Sequence, residues 1–184
     1  MAEINPMPQR ALIDTSVLVA VVNVRDSQHA RAIAAIRSAI SANVVLVYCD
    51  VVIAEAISVL ARRAEEQKRS DEFAAEIEKL FAQAPIAERT RLFTKVDVWF
   101  DEVVTLVQQT KGRLNFNDAL IVVACRELGI DTLLSFDADF DAIPQSDAAQ
   151  ITSSRPHCHI PYPRLQAGSR IQQCGLGHAN QGGA

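Results

Sequence analysis

Four acidic residues sit where acids are not expected: Asp14, Glu55, Asp118 and Asp137. Asp14 follows the apolar run A-L-I and precedes T-S-V-L-V-A-V-V. Such a residue caps a helix that starts just after a strand, and a cap can also bind a cation. Glu55 is the only charge in V-V-I-A-E-A-I-S-V-L-A (51–61). A helical glutamate ordinarily faces water, but the neighbours of Glu55 on its own face are Val51, Val52, Ser58 and Val59. Burying an unpaired carboxylate is costly, so Glu55 needs a cation or a strong donor beside it. Asp118 opens a charge-free stretch in N-F-N-D-A-L-I-V-V-A-C (115–125). Its simplest role is a first-turn acid facing the positive end of the helix dipole. Asp137, Asp139 and Asp141 alternate in L-L-S-F-D-A-D-F-D (133–141). Asp137 stands closest to the strand end, where the Ser135 hydroxyl can orient it or a bound water. Asp139 is placed to act through water, and Asp141 reads as a loop residue.

Carboxylates gathered in one place repel unless a cation neutralises them. Oxygen-only ligands, without His or Cys, favour Mg²⁺ or Mn²⁺ over zinc. The chemistry available to such a site is metal-assisted hydrolysis.

The elements that must position these acids follow from periodicity. Residues 10–14 predict a short strand ending in Asp14, and V-V-L-V-Y (44–48) a buried one. R-L-F-T-K-V (91–96) predicts a weaker strand and T-L-L-S (132–135) a firm one. S-V-L-V-A-V-V-N after Asp14 is strand or helix by composition. Helices are expected over 28–42, from an Asp50 cap to Lys68, from a Ser70 cap to Ala82, over 97–110, and from an Asn117 cap to Leu128. Pro85 and Gly112 punctuate, and Gly129 closes the last helix. Strands alternating with helices imply an α/β fold, with parallel strands and helices on both faces. Ligands on such sheets bind beyond the carboxyl ends of the strands, where Asp14 and Asp137 fall.

Composition supports this and adds a difficulty. Hydrophobic residues make up 49% and aromatics only 5%, so the core is aliphatic, as in packed α/β domains. Residues 1–147 hold 15 Lys/Arg against 22 Asp/Glu, a net −7, whereas 148–184 hold three Arg and no acid. An acidic domain is a poor match for a phosphate backbone unless bound metal offsets its charge. Candidate basic contacts are Arg62, Arg63, Lys68 and Arg69, together with Lys111 and Arg113; the ordinary role of such clusters is a solvated face. Cys49 and Cys125 lie in apolar runs and read as buried thiols. The opening M-A-E-I-N-P-M-P-Q-R has no secretory pattern, and no apolar run spans a membrane, so the cytoplasm is the expected location. The expected organisation is a lead-in (1–9), a catalytic domain (10–147) and a disordered tail (148–184) rich in Gly, Pro, Ser, Gln and His. The tail contains His157, Cys158, His159, Cys174 and His178, whose spacing matches no strong zinc pattern.

The order A-L-I-D-T-S, V-V-I-A-E-A, N-D-A-L-I-V-V-A and L-L-S-F-D-A-D-F resembles the PIN domain family, over about residues 10–143. Within it, the chain looks like the VapC toxins of bacterial toxin–antitoxin pairs. The resemblance implies a three-layer α/β/α sandwich with a central, mostly parallel sheet. It implies a Mg²⁺- or Mn²⁺-dependent endoribonuclease that leaves 5′-phosphate and 3′-hydroxyl ends. Asp14, Asp118 and Asp137 match the direct metal ligands. Glu55 matches a residue that binds metal through water or accepts a proton from the nucleophile. Asp139 matches a frequent fifth acid, and Ser16 and Ser135 match small hydroxyl residues of the family. The implied partners are an RNA substrate, a second copy of the chain and a cognate VapB-like antitoxin.

Other readings fit less well. A haloacid-dehalogenase-like phosphatase also begins with a strand ending in Asp. It needs a second acid two residues on, where this chain has Ser16, and a Lys before the last acidic loop, where none occurs between Asp118 and Asp137. A non-catalytic scaffold of the same fold is expected to lose acids, and all four are present. A housekeeping RNA-processing nuclease without an antitoxin remains open on sequence alone.

Overall fold

The computed structural model describes residues 8–84, 89–130 and 132–143 of the chain. The segment 148–184, with its His and Cys residues, and the lead-in up to residue 7 lie outside the described residues, as does Pro85.

Three strands form one parallel sheet: β1 (Arg10–Ile13), β2 (Val45–Val47) and β3 (Thr132–Leu134), in the order β2-β1-β3. Six α-helices accompany them among the described residues: α1 (Thr15–Val22), α2 (His29–Ser41), α3 (Asp50–Glu66), α4 (Phe73–Gln83), α5 (Val96–Gln109) and α6 (Phe116–Glu127). The α/β/α sandwich expected from the sequence is what forms. One helical group is α1 packed on α2, α3 and α4; the other is α5 packed on α6.

The central strand explains its sequence. Ala11, Leu12 and Ile13 are buried, as a strand covered on both faces requires an unbroken apolar run. The edge strand β2 tolerates a half-exposed Val45. The register pairs Ile13 with Leu134, so the residues that follow, Asp14 and Ser135, emerge side by side. The Asp14 amide continues the ladder by donating to Leu134 O at 3.0 Å.

The ambiguous segment after Asp14 is helical. Asp14 keeps an extended backbone (φ −78°, ψ 159°), and its carboxylate accepts from the Ser16 amide, which caps α1. That helix buries Thr15, Val17, Leu18, Val19, Ala20 and Val22, which is why its composition shows no polar stripe.

Four local expectations need correction. Ser70 does not cap α4: it opens a 3-10 turn, Ser70–Glu72, and Glu72 precedes the helix without a side-chain capping bond. Residues 91–96 are not a strand. The Asp50 carboxylate accepts from the Leu92 amide at 2.7 Å and from the Phe93 amide, and the chain turns into a 3-10 segment at Phe93–Lys95. Only an isolated parallel bridge, Cys49 to Thr90, survives nearby. Because Asp50 is engaged there, it is the first residue of α3 and not its cap, which is Cys49. The cap of α6 is Asn115, not Asn117: Asn115 takes the Asp118 amide at 3.0 Å, and Asp118 takes the Asn115 amide at 3.1 Å. This reciprocal pair satisfies two orphan donors at once, an advantage Asn117 does not have.

Candidate active site

The carboxyl ends of β1 and β3 and the start of α6 bring the acids together. Asp14 is 4% exposed. Its Oδ2 accepts from Ser16 Oγ at 2.6 Å, from Ser135 Oγ at 2.7 Å and from the Ser16 amide at 3.3 Å. Its Oδ1 takes none of these bonds. Ser16 Oγ accepts in turn from the Phe136 amide at 3.0 Å, and Ser135 Oγ accepts from the Asp137 amide at 3.0 Å. Two hydroxyls thus tie Asp14 to the loop that carries Asp137.

The other acids are held in the same one-sided way. Glu55, half-buried on α3, accepts from Thr15 Oγ1 through Oε2 at 3.2 Å. Asp118 uses Oδ2 for the Asn115 amide, and Asp137 uses Oδ1 for the Asp139 amide at 2.8 Å. In all four carboxylates one oxygen is fixed by a protein donor while the other carries none of these bonds.

Their fields overlap at Asp118. Burial pushes the Asp118 carboxyl up, the Asn115 amide pulls it down, and the charges of Asp14, Glu55 and Asp137 push it up further, to about 7. The acids are therefore close enough to repel. A divalent cation is the group that would relieve both the burial and the repulsion.

The donor chemistry fits such an ion: hard oxygens alone, with one oxygen of each acid unclaimed by the bonds above. Among the described residues, no three His, Cys, Asp or Glu side chains converge into a finished metal cage.

Asp139 and Asp141 lie on the 3-10 segment Ala138–Ala142. Asp139 pairs with Arg113 at 3.3 Å, so this arginine stands beside the acidic loop. Asp141 is exposed. Arg62 pairs loosely with Glu66 at 3.9 Å, and Arg63 is bound to Asp26 at 2.6 Å. Arg69 is occupied by Glu72 and Glu76. Lys68 and Lys111 are exposed, each at a helix end with φ +55°. Of the basic candidates, Arg113 is the one that contacts a site acid.

Thr15 and Asn115 escaped the sequence reading, although each positions an acid. Thr15 was visible within D-T-S, and Asn115 stands three residues before Asp118, the spacing of a capping box.

Residues 11–145 match the PIN domain family. No curated protein matches the chain in sequence. Among solved structures, the chain is similar to VapC20 of Mycobacterium tuberculosis, a toxin that cleaves the sarcin-ricin loop. The TM-score is 0.55 at 22% identity, covering 72% of this chain and 93% of that one. It is also similar to VapBC2 of Rickettsia felis, solved bound to a DNA fragment from its promoter. Here the TM-score is 0.50 at 15% identity, covering 74% of this chain and 94% of that one.

Proposed function

Because the chain belongs to the PIN domain family, we propose that it is a Mg²⁺- or Mn²⁺-dependent endoribonuclease and the toxin of a VapBC-type pair, neutralised by a VapB-like antitoxin. The observation that carries the reading is the meeting of four acids from separate segments, Asp14, Glu55, Asp118 and Asp137, whose charges converge on Asp118. A structural role explains each acid alone. It does not explain why the charges of three of them fall on the fourth, Asp118.

In this reading Asp14, Asp118 and Asp137 hold the ion, directly or through its waters. A bound Mg²⁺ or Mn²⁺ lowers the pKa of water and offsets charge on the phosphate. Glu55 stands on the opposite helix, held by Thr15, where it binds through water or accepts the proton of the attacking water. Ser16 and Ser135 keep the Asp14 carboxylate from turning away. Asp139 and Arg113 form the rim, and Arg113 is the cation best placed to meet the RNA backbone.

Two partners belong to the proposal. The kinship in fold with VapBC2 supports an antitoxin. A homodimer is the second; the exposed apolar side chains Phe93, Val98 and Phe100, 57%, 77% and 49% exposed, are ones such an interface would cover.

The test is cleavage of RNA by purified full-length protein with Mg²⁺, followed by sequencing of the ends. Asp14→Asn and Asp118→Asn are expected to lower the rate by at least about a thousandfold while circular dichroism stays unchanged. EDTA is expected to stop wild-type cleavage, and Mg²⁺ to restore it. Undiminished cutting by either variant, or in excess EDTA, would falsify the mechanism. Growth arrest on expression without a partner gene is expected of the toxin; harmless expression of active protein points to a housekeeping nuclease.

A further inference from the structure

A cavity of about 500 Å³ opens beside the acidic centre. Ser16 and Phe136 form the wall it shares with that centre, and Arg25, Gln28, Arg63 and Gln67 line the rest, with the loop around Asp26. The shared wall is a bonded one: Ser16 Oγ donates to Asp14 and accepts from the Phe136 amide. A molecule in the cavity therefore lies one side chain away from Asp14.

The lining is built, not incidental. Asp26 is the organiser. Its Oδ1 accepts from the Gln28 amide at 2.8 Å, and its Oδ2 accepts from Arg63 Nη1 at 2.6 Å. One carboxylate thus fixes the backbone of Gln28 and ties the α1–α2 loop to α3. Arg25 is held by Glu72 at 2.7 Å at the surface, where both side chains are about half exposed. Such exposed pairs contribute little, so the Arg25 head can turn to an arriving anion at small cost. Arg31 lies over one face of the Phe136 ring, its guanidinium carbon 4.9 Å from the centroid.

These groups match a nucleotide better than a peptide side chain. The volume suits one small ligand unit. Primary amides, here Gln28 and Gln67, are the side chains that pair with base edges; Gln67 Oε1 already accepts from the Arg69 guanidinium, which leaves the Gln67 amide N–H groups to meet a base acceptor. An aromatic wall receives an unstacked base of single-stranded RNA, and arginines receive its phosphate. An apolar anchor of a protein partner would meet Phe136 as the one apolar residue of the lining.

We propose that this cavity is a base-selective subsite that holds a nucleotide next to the scissile phosphate, with Gln28 and Gln67 reading the base edge and Arg25 taking its phosphate. The inference rests on the ribonuclease reading for its role, but the binding stands on the cavity itself.

Two measurements separate the two claims. The first is NMR titration of the metal-free full-length chain with each of the four nucleoside 5′-monophosphates and with inorganic phosphate. Shifts at the Gln28 and Gln67 side-chain amides are expected, larger for one base than for the others, and lost in the Gln28→Ala/Gln67→Ala double variant. No shift, or the same shift with inorganic phosphate alone, overturns base reading. The second is sequencing of ends from a random RNA pool. Wild type is expected to show a base bias at one position flanking the cut, and the double variant to lose it. For the preferred sequence kcat/KM should fall about tenfold, within the range of one base-edge contact. An unchanged bias overturns the proposal. Should the double variant fail to fold, Gln67→Glu alone carries both tests, since Gln67 is exposed at the end of α3. If wild type cuts no RNA, the ribonuclease reading falls and the titration still decides the subsite.

Discussion

The Ser135 hydroxyl sits between two acids, donating to Asp14 Oδ2 and accepting from the Asp137 amide. It is 1% exposed, so no water can easily replace it. Groups that orient a metal ligand commonly govern metal affinity or activity by about 10–100-fold. Ser135→Ala is therefore expected to raise the Mg²⁺ concentration needed for half-maximal cleavage by about 10–100-fold, with a smaller loss of rate at saturating Mg²⁺. A metal titration of the purified variant measures this. An unchanged half-maximal concentration would show that Ser16 alone holds Asp14. Much of this residue-level detail was legible in advance. Asp14, Glu55 and Asp118 stood out because each borders or interrupts an apolar run and Asp137 because it follows a strand end, and Glu55 proved half-buried as its neighbours required. Which oxygen each acid commits, and to which donor, depends on neighbours brought in by the fold. The Ser135 to Asp14 bond spans 121 residues, and no local pattern announces it.

At the scale of elements, long periodic segments were readable and ends were not. The helices over 29–41 and 73–83 follow from their apolar spacing. The 91–96 segment has strand composition but lacks a partner, because Asp50 takes its amides and bends it. The start of α6 shows the same dependence. Asn115 and Asn117 are equally good cap types, and only the reciprocal bond with Asp118 selects Asn115. The cap thus serves both the helix and the site. Asn115→Ala is expected to cost about 1 kcal/mol of stability, the usual value for a lost side-chain cap. It should also weaken cleavage, since a frayed first turn no longer holds Asp118 in place. Urea denaturation and a cleavage assay on the same preparation check both. Asn117→Ala is the contrast, expected to leave α6 capped. Equal loss of stability in the two variants would contradict the assignment.

Across the whole molecule, four of the 22 acids whose excess seemed to oppose an RNA substrate belong to the proposed site. Its cost appears without metal. In the metal-free fold burial and then the neighbouring acids raise the Asp118 carboxyl from 3.8 to about 7. Between those values the folded state holds a proton that the unfolded chain releases. Stability from this group is therefore fully present below pH about 4, falls as pH rises toward 7, and is level above that. Asp26 and Glu72 act in the opposite sense. For Asp26, burial pushes the carboxyl up, but the Gln28 amide and Arg63 outweigh it and hold it below the ordinary value. Glu72 is lowered by hydrogen bonds from Arg25 and Arg69. Their contribution is present above the ordinary carboxylate range and fades only as pH falls through it, so it does not blur the interval from 5 to 8. Asp118→Asn keeps an acceptor for the Asn115 amide and removes the charge. The difference in Tm between the variant and wild type, both in EDTA, is expected to be smallest near pH 4, already present at pH 5 and a few degrees by pH 8, in favour of the variant. Saturating Mg²⁺ should shrink or reverse that gap, because the ion binds the ionised wild-type site and stabilises it by mass action. A gap that stays flat with pH, or one that Mg²⁺ leaves untouched, would mean that Asp118 is not the acid on which the others converge.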